Sequence, residues 1–574
     1  MHHFWMLGSM SQILLVRYLV ENREALLLPM GGFGNRVADF HNKKRTRYRL
    51  LMSIRLGLSM WSGSCKALLI SRDNEGSGQF MAKHDSASAE PVNPAYSPRL
   101  TNQDLAPVHQ QHWNWYNLFS FWMSDVHSMG GYVVAASFFA LGLAGWQVLV
   151  SLLVGIVIVQ MFANLVARPS QVSGVPYAVI SRQAFGVFGA NIPAILRGLM
   201  AMAWYGIQTW LVSNALLLVL LKFFPRLMPW TVPHFIGLSA LGWGCFLVMW
   251  LLQALIFWQG MDAIKRFIDV AGPAVYIVML VLAIWITSQT GFSGISLTLS
   301  QKSLAPSEQV WQMISASALV VSYFSGPLLN FGDFARYASD MHQVRQGNRW
   351  GLPFNFLLFS IITVVIVSGT HSLFGQMITD PIETVTRVGS GLAVAVALLT
   401  MIIATIGINI VANFVSPAFD FSNCAPNKIS FRSGGMLAAL GSVLLTPWNL
   451  FHSPELIHYT LDVLGAFMGP LFGILLCDFY LINRATVRVD DLFSVSPQGA
   501  YWYRKGINPR AVMALVPSVL LCLMITYFSY LQALADFSWF LGVMLSATIY
   551  LTLARHRRLP ARVHPQTAVY RSDL

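Results

Sequence analysis

Apolar stretches of about 20 residues, the length that crosses a ~30 Å hydrocarbon core, recur along this chain with short polar gaps. They fall near 115–140, 145–167, 192–221, 234–257, 268–288, 310–332, 352–375, 391–416, 434–448, 460–482, 511–531 and 534–554. The pattern predicts an all-α, polytopic membrane protein with about twelve transmembrane helices, numbered here as spans one to twelve. Span one breaks the apolar rule. Within WYNLFSFWMSDVHSMGGYVVAASFF its middle holds Ser124, Asp125, His127 and Ser128, followed by Gly130 and Gly131. A carboxylate at the bilayer centre costs at least ~2.5 kcal/mol, and interrupted backbone is tolerated only against protein or a cavity. Span one is therefore expected to face a binding site.

The segment before the first span reads differently. In residues 1–80 the apolar runs are cut by Arg17, Glu21, Arg23 and Glu24 and later by Arg55 and Lys66. Neither run has the clean core and cleavage site of a signal peptide. Met81 opens a Ser- and Pro-rich stretch, MAKHDSASAEPVNPAYSPRL, that suits a cytosolic tail over 81–112. The expectation is that translation starts at Met81; the alternative is a genuine but poorly ordered extension.

Charge fixes orientation. Loops after even-numbered spans carry most of the basic residues, among them Arg168, Arg182, Lys265, Arg266, Arg336 and Arg484. Loops after odd-numbered spans carry only Lys222, Arg226, Lys302 and Arg387. The positive-inside rule then places both termini, including the tail 555–574, in the cytoplasm of a multi-pass protein of the inner (plasma) membrane. The composition agrees: 55% of the 574 residues are hydrophobic and 11% charged, against about 25% charged in a soluble domain. The net charge of +13 is spread over loops and tails, so it is topological and points to no nucleic-acid partner. The partners expected are the lipid bilayer and a small-molecule substrate, with no obligate protein partner. The five cysteines show neither metal-ligand spacing nor a disulfide framework.

Span six repeats the irregularity of span one, since VVSYFSGPLLNFGDFARY puts Ser325-Gly326-Pro327 within it. Proline removes a backbone bond and glycine tolerates a bend. Five spans separate the two, so each opens a five-helix unit, over 113–288 and 310–482, with two additional helices over 511–554. An odd number of spans inverts the second unit, and interrupted helices at matching positions of inverted repeats point to a transporter's midplane site. The plainer reading is two ordinary kinks. In span three, Trp204 and Gln208 of MAWYGIQTW lie four residues apart on one face. An indole stacks on a planar heterocycle, and a primary amide both donates and accepts toward an imide or ureide edge. A core Trp and a helix-bridging Gln is the alternative. Span eight carries Asn409 and Asn413, again four apart, either as glue between helices or with one of them turned into the site.

These residues resemble the nucleobase-cation symporter-1 family. The likeness covers roughly 113–555 and includes WYGIQTW, NFGDFARY, NIVANFVSPAFD and CDFYLINR. The resemblance implies a LeuT-type fold of two inverted five-helix repeats plus two C-terminal helices. It also implies that Trp204 and Phe324 sandwich a substrate ring, that Gln208 and Asn413 read its edge, and that Ser128 stands where relatives place Gln or Asn. In sodium-coupled relatives the ion is held by carbonyls that match Ser124, His127 and Ala404, but the accompanying Ser-Thr pair is Gly407 and Ile408 here. With two hard oxygen ligands missing, the expected coupling ion is a proton rather than sodium, and no cofactor or metal is implied. Burial disfavours the charged form of a carboxylate, which suits Asp125 to take up and release that proton; His127 is the other titratable candidate. The function expected is import of a planar nucleobase or ureide, uracil first, by alternating access. The alternatives are a sodium-coupled allantoin or hydantoin permease and, in a different class, a membrane sensor on the same scaffold. No membrane-embedded nucleophile, base or metal cluster suggests an enzyme.

Overall fold

The computed structural model describes residues 93–126, 129–232, 234–297, 304–378, 381–387, 391–450, 453–555 and 569–571. The expectations for residues 1–80, and for His127 and Ser128, fall outside the described residues. Among the described residues ten helices are long and apolar enough to cross a bilayer, from Gly145–Ser173 to Ala533–Ala554. Two expected spans are not among these ten. Span one is described as Trp115–Val126 and Met129–Ala140, of 12 residues each. Span nine, Phe431–Leu444, has 14 residues, or about 21 Å of helix, short of a full hydrocarbon core. Outward faces of spans four and five expose Leu247, Leu251 and Leu255, then Ile277, Val281 and Ile284. Such apolar stripes fit a lipid solvent.

Packing exposes the repeat. Span one lies against spans five, seven and eight, whereas span six lies against spans two, three and ten. Exchanging one with six, two with seven, three with eight and five with ten converts the first set into the second. Spans eleven and twelve pack on span ten, outside that exchange. The contact of span two with span six depends on Gly155, where a Cβ would stand 2.6 Å from Val320 Cβ and 2.8 Å from the Ser317 carbonyl. Helices in lipid associate by such close approach rather than by hydrophobic force.

Span six differs in detail from its expected form. The helix Pro306–Leu329 runs through Gly326 and Pro327 and ends at the Asn330 cap, with a short helix Gly332–Ala335 following. Proline in the last turn loses only one bond before the helix would end anyway, so the chain stops after it rather than at it. Three helices carry π-type segments, at Trp350–Phe354, Asn409–Val415 and Cys477–Ile482. The middle one is the stretch with both asparagines of span eight.

Residues 93–113 pack at the arginine-rich end of the bundle. Arg182, counted above as a loop charge, is fully buried there. Its guanidinium donates to Asn423 Oδ1 at 2.6 and 3.2 Å, to the Leu100 carbonyl at 2.7 Å and to the Leu492 carbonyl at 3.0 Å. Burial pushes this group down to about 9, which leaves it charged at neutral pH.

Candidate functional site

Span one enters the interior with Ser124 and Asp125, both buried. Ser124 faces span eight: a Cβ built on Gly407 lies 3.5 Å from Ser124 Cβ, 3.8 Å from its Oγ and 3.9 Å from its carbonyl oxygen. Ala404, three residues earlier, shares that helix face and is buried. Thus Ser124 and the Ala404–Gly407 face meet, as the cation-site expectation requires, and Gly407 contributes no side-chain oxygen there. Ser124 Oγ and Asp125 Oδ1 are buried without a hydrogen-bond partner among the described residues. The charged group whose field reaches Asp125 is Arg197 of span three.

Trp204 and Gln208 are buried on one face of the helix Asn191–Phe223. Trp204 meets Tyr323 edge-to-face, with ring centroids 5.3 Å apart at 86°. Phe324 is turned elsewhere and packs its ring on Phe356 of span seven at 5.5 Å and 84°. Successive helical residues point about 100° apart, so Tyr323 and Phe324 cannot both face span three. The structure therefore brings Trp204 together with Tyr323 and not with Phe324.

Asn413 and Asn409 belong to one network. Asn413 Nδ2 donates to Asn409 Oδ1 at 2.8 Å. Asn409 Nδ2 in turn donates to Gln253 Oε1 at 2.6 Å, to Thr209 Oγ1 at 3.2 Å and to the Tyr205 carbonyl at 3.3 Å. Gln253 of span four donates to the Met249 carbonyl at 2.9 Å and to Thr209 Oγ1 at 3.2 Å. Asn409 is thereby a bridge among spans three, four and eight, while Asn413 hangs from it. The π segment sets this geometry, since such bulges reorient side chains within a continuous helix.

Three charged residues near this site are absent from the sequence expectations. Arg197, fully buried in span three, donates through Nε to the Gly326 carbonyl at 3.2 Å and through Nη2 to the Ala412 carbonyl at 2.9 Å. Asp333 accepts the Tyr177 amide at 2.7 Å and Asn330 Nδ2 at 3.0 Å. Asp420 Oδ2 accepts the same Asn330 amide at 3.4 Å. Arg197 Nη1 and Asp420 Oδ1 are buried without partners. The sequence signal was available: an arginine inside the apolar run AILRGLM is as costly in a membrane as Asp125.

Among the described residues no cluster of His, Cys, Asp or Glu could hold a metal ion. The arrangement offers an aromatic edge, neutral amides and buried charged groups, which suits binding rather than covalent chemistry.

Comparison with known proteins identifies what this arrangement resembles. The sequence pattern of a family described as permeases for cytosine/purines, uracil, thiamine and allantoin matches residues 106–542. An allantoin permease of Bacillus subtilis is 33% identical over 479 residues, covering 82% of this chain and 95% of that protein. A purine-uracil permease of Arabidopsis thaliana is 34% identical over 434 residues, 74% of this chain and 71% of its own. Among solved structures, the nucleobase-cation-symport-1 transporter Mhp1, closed with bromovinylhydantoin bound, superposes with a TM-score of 0.63 at 19% identity. The match covers 81% of this chain and 95% of that one, and at such identity it establishes the shared fold.

Proposed function

We propose, for a chain that belongs to the nucleobase-cation symporter-1 family of permeases, that it imports a planar nucleobase or cyclic ureide together with protons. The observation that carries the substrate class is the buried wall made by Trp204, on the span-three helix that also carries Gln208, and Tyr323 of span six, beside the span-eight amides. A flat ring stacks on the aromatic side while its alternating C=O and N–H edge meets amides. Uracil is the first substrate to test and allantoin the second, because the two relatives above divide between these names and both molecules present that edge.

Proton coupling is supported by the bare face of Gly407 opposite Ser124 and by the unpartnered Oδ1 of Asp125. A sodium site needs several hard oxygens, and span eight supplies none at 407 and 408. Asp125, buried in span one, is the residue assigned to bind and release the proton. The basic loops after even-numbered spans support cytoplasmic termini.

The test is uptake of radiolabelled uracil and allantoin into cells expressing the chain, with sodium present or replaced and with an uncoupler added or omitted. Uptake indifferent to sodium and abolished by the uncoupler is the expected result. Asp125→Asn should lose concentrative uptake at every pH while still binding substrate. Sodium-dependent uptake, or an unchanged pH profile in Asp125→Asn, removes the proton reading. Failure of both substrates, and of competition by hydantoin, removes the substrate class.

A further inference from the structure

The geometry points to Gln253, Thr209 and Asn409 as positioning residues that fix Asn413 with its amide oxygen as the free end, so that the site selects ligands offering a ring N–H to Asn413. This rests on the substrate class proposed above and narrows it to lactam or imide edges. The orientation follows from two backbone carbonyls that can only accept. The Met249 carbonyl takes a hydrogen bond at 2.9 Å from Gln253, so that end of the Gln253 amide is its NH2 and Oε1 is the other end. Gln253 Oε1 lies 2.6 Å from the Asn409 amide, so Asn409 must present NH2 there. The Tyr205 carbonyl, 3.3 Å from the same nitrogen, requires the same orientation. Thr209 cannot reverse it, because its hydroxyl hydrogen is committed to the Tyr205 carbonyl at 2.6 Å and its oxygen is left to accept.

Asn409 Oδ1 is then the end that faces Asn413, and it accepts the Asn413 amide at 2.8 Å. One end of Asn413 is thereby used up as a donor. Its Oδ1, which accepts no hydrogen bond from the described residues, remains an acceptor. Uracil, with N3–H, satisfies such an acceptor. Cytosine, whose N3 is itself an acceptor, sets two lone pairs against each other. A freely rotating asparagine would serve both ligands by flipping, so the discrimination resides in the chain behind it, three residues removed from substrate.

Binding to the purified full-length protein tests this, read as the ratio of uracil to cytosine affinity and of hydantoin to its N3-methyl derivative. The wild type is expected to prefer the N–H ligand by about tenfold or more, the size of one unmade buried hydrogen bond. Gln253→Leu frees Asn409 to turn and should cut both ratios to about threefold or less, whereas Gln253→Glu, protonated in this setting, keeps the acceptor and should keep the ratios. A purely structural role would weaken both ligands together. Should Gln253→Leu fail to fold, Thr209→Val loosens the same chain and should lower the ratios less. Unchanged ratios in a monodisperse variant, or a wild type that prefers cytosine, overturn the inference while leaving the permease reading intact. No binding of any of the four ligands, nor of allantoin, overturns both.

Discussion

Two rungs tie span three to span eight, and they are built on opposite principles. The upper rung is neutral: Asn409 reaches the Tyr205 carbonyl and Thr209, and its own oxygen is taken by Asn413. The lower rung is charged: Arg197, eight residues or about 12 Å before Tyr205, holds the Ala412 carbonyl. Every polar atom of the Asn409 amide is used. Around Arg197, by contrast, one guanidinium nitrogen and single oxygens of Asp420 and Asp125 are buried without partners. A satisfied network has one low-energy arrangement, so it can serve as a fixed ruler for substrate. An under-satisfied cluster of buried charged groups has several arrangements of similar cost. On the proposed function, the fixed rung is the one beside the ligand and the under-satisfied rung is the one among the charges.

Removing the charged rung should have the largest effect. Arg197→Met removes the donors to the Gly326 and Ala412 carbonyls and the cation whose field reaches buried Asp420, and leaving a buried charge uncompensated in this way costs about 3–5 kcal/mol. The thermal midpoint of the detergent-purified protein should fall further than in Asn409→Leu, where the loss is that of neutral hydrogen bonds, about 1–3 kcal/mol. Arg197→Lys should not rescue it, because one ammonium cannot span the Gly326 and Ala412 carbonyls as the planar fork does. If Asn409→Leu proves the more damaging variant, the contrast between the rungs is wrong.

How much of this was readable beforehand follows from what each signal depends on. Hydropathy depends on many residues at once, and the helices it indicates are present among the described residues, with span nine cut short. Pairs four residues apart on one helix, Trp204 with Gln208 and Asn409 with Asn413, were legible because helical periodicity alone places them on one face. What was not legible is which neighbouring helix each face meets. That is why Tyr323, one residue from the expected Phe324, is the ring beside Trp204. The same gap hid Gln253 and Thr209, ordinary polar residues until span four is laid against span eight. Arg197 was hidden differently, since a basic residue near the end of a span is easily counted with its loop.

The aromatic wall gives a prediction of intermediate size. Tyr323→Leu removes the ring beside Trp204 and should weaken substrate binding by roughly tenfold, in line with about 0.5–1.5 kcal/mol for an aromatic contact beyond its area. Phe324→Leu leaves that ring in place and should alter stability more than affinity, since Phe324 is fully buried on Phe356. Equilibrium binding beside thermal unfolding of the two variants separates these effects. A larger affinity loss in Phe324→Leu would return the ring-stacking role to that residue.

The smallest structural change carries the sharpest question about the charged rung. Gly407→Ser adds a Cβ whose nearest neighbours, 3.5 to 3.9 Å away on Ser124, are at ordinary contact distance, so the protein should accept it. Helix propensity favours the change by roughly 0.5 kcal/mol, and the thermal midpoint should stay or rise slightly. The new hydroxyl would lie near the Ser124 carbonyl and Oγ and restore one of the hard oxygens that span eight lacks at 407 and 408. Uptake by Gly407→Ser, and more so by Gly407→Ser with Ile408→Thr, should then depend on sodium more than uptake by the wild type does. If both variants fold and transport yet ignore sodium, the missing oxygens do not explain the wild type's ion preference. The choice of ion would then rest on groups outside the 407–408 face of span eight, with Asp125 the first to substitute.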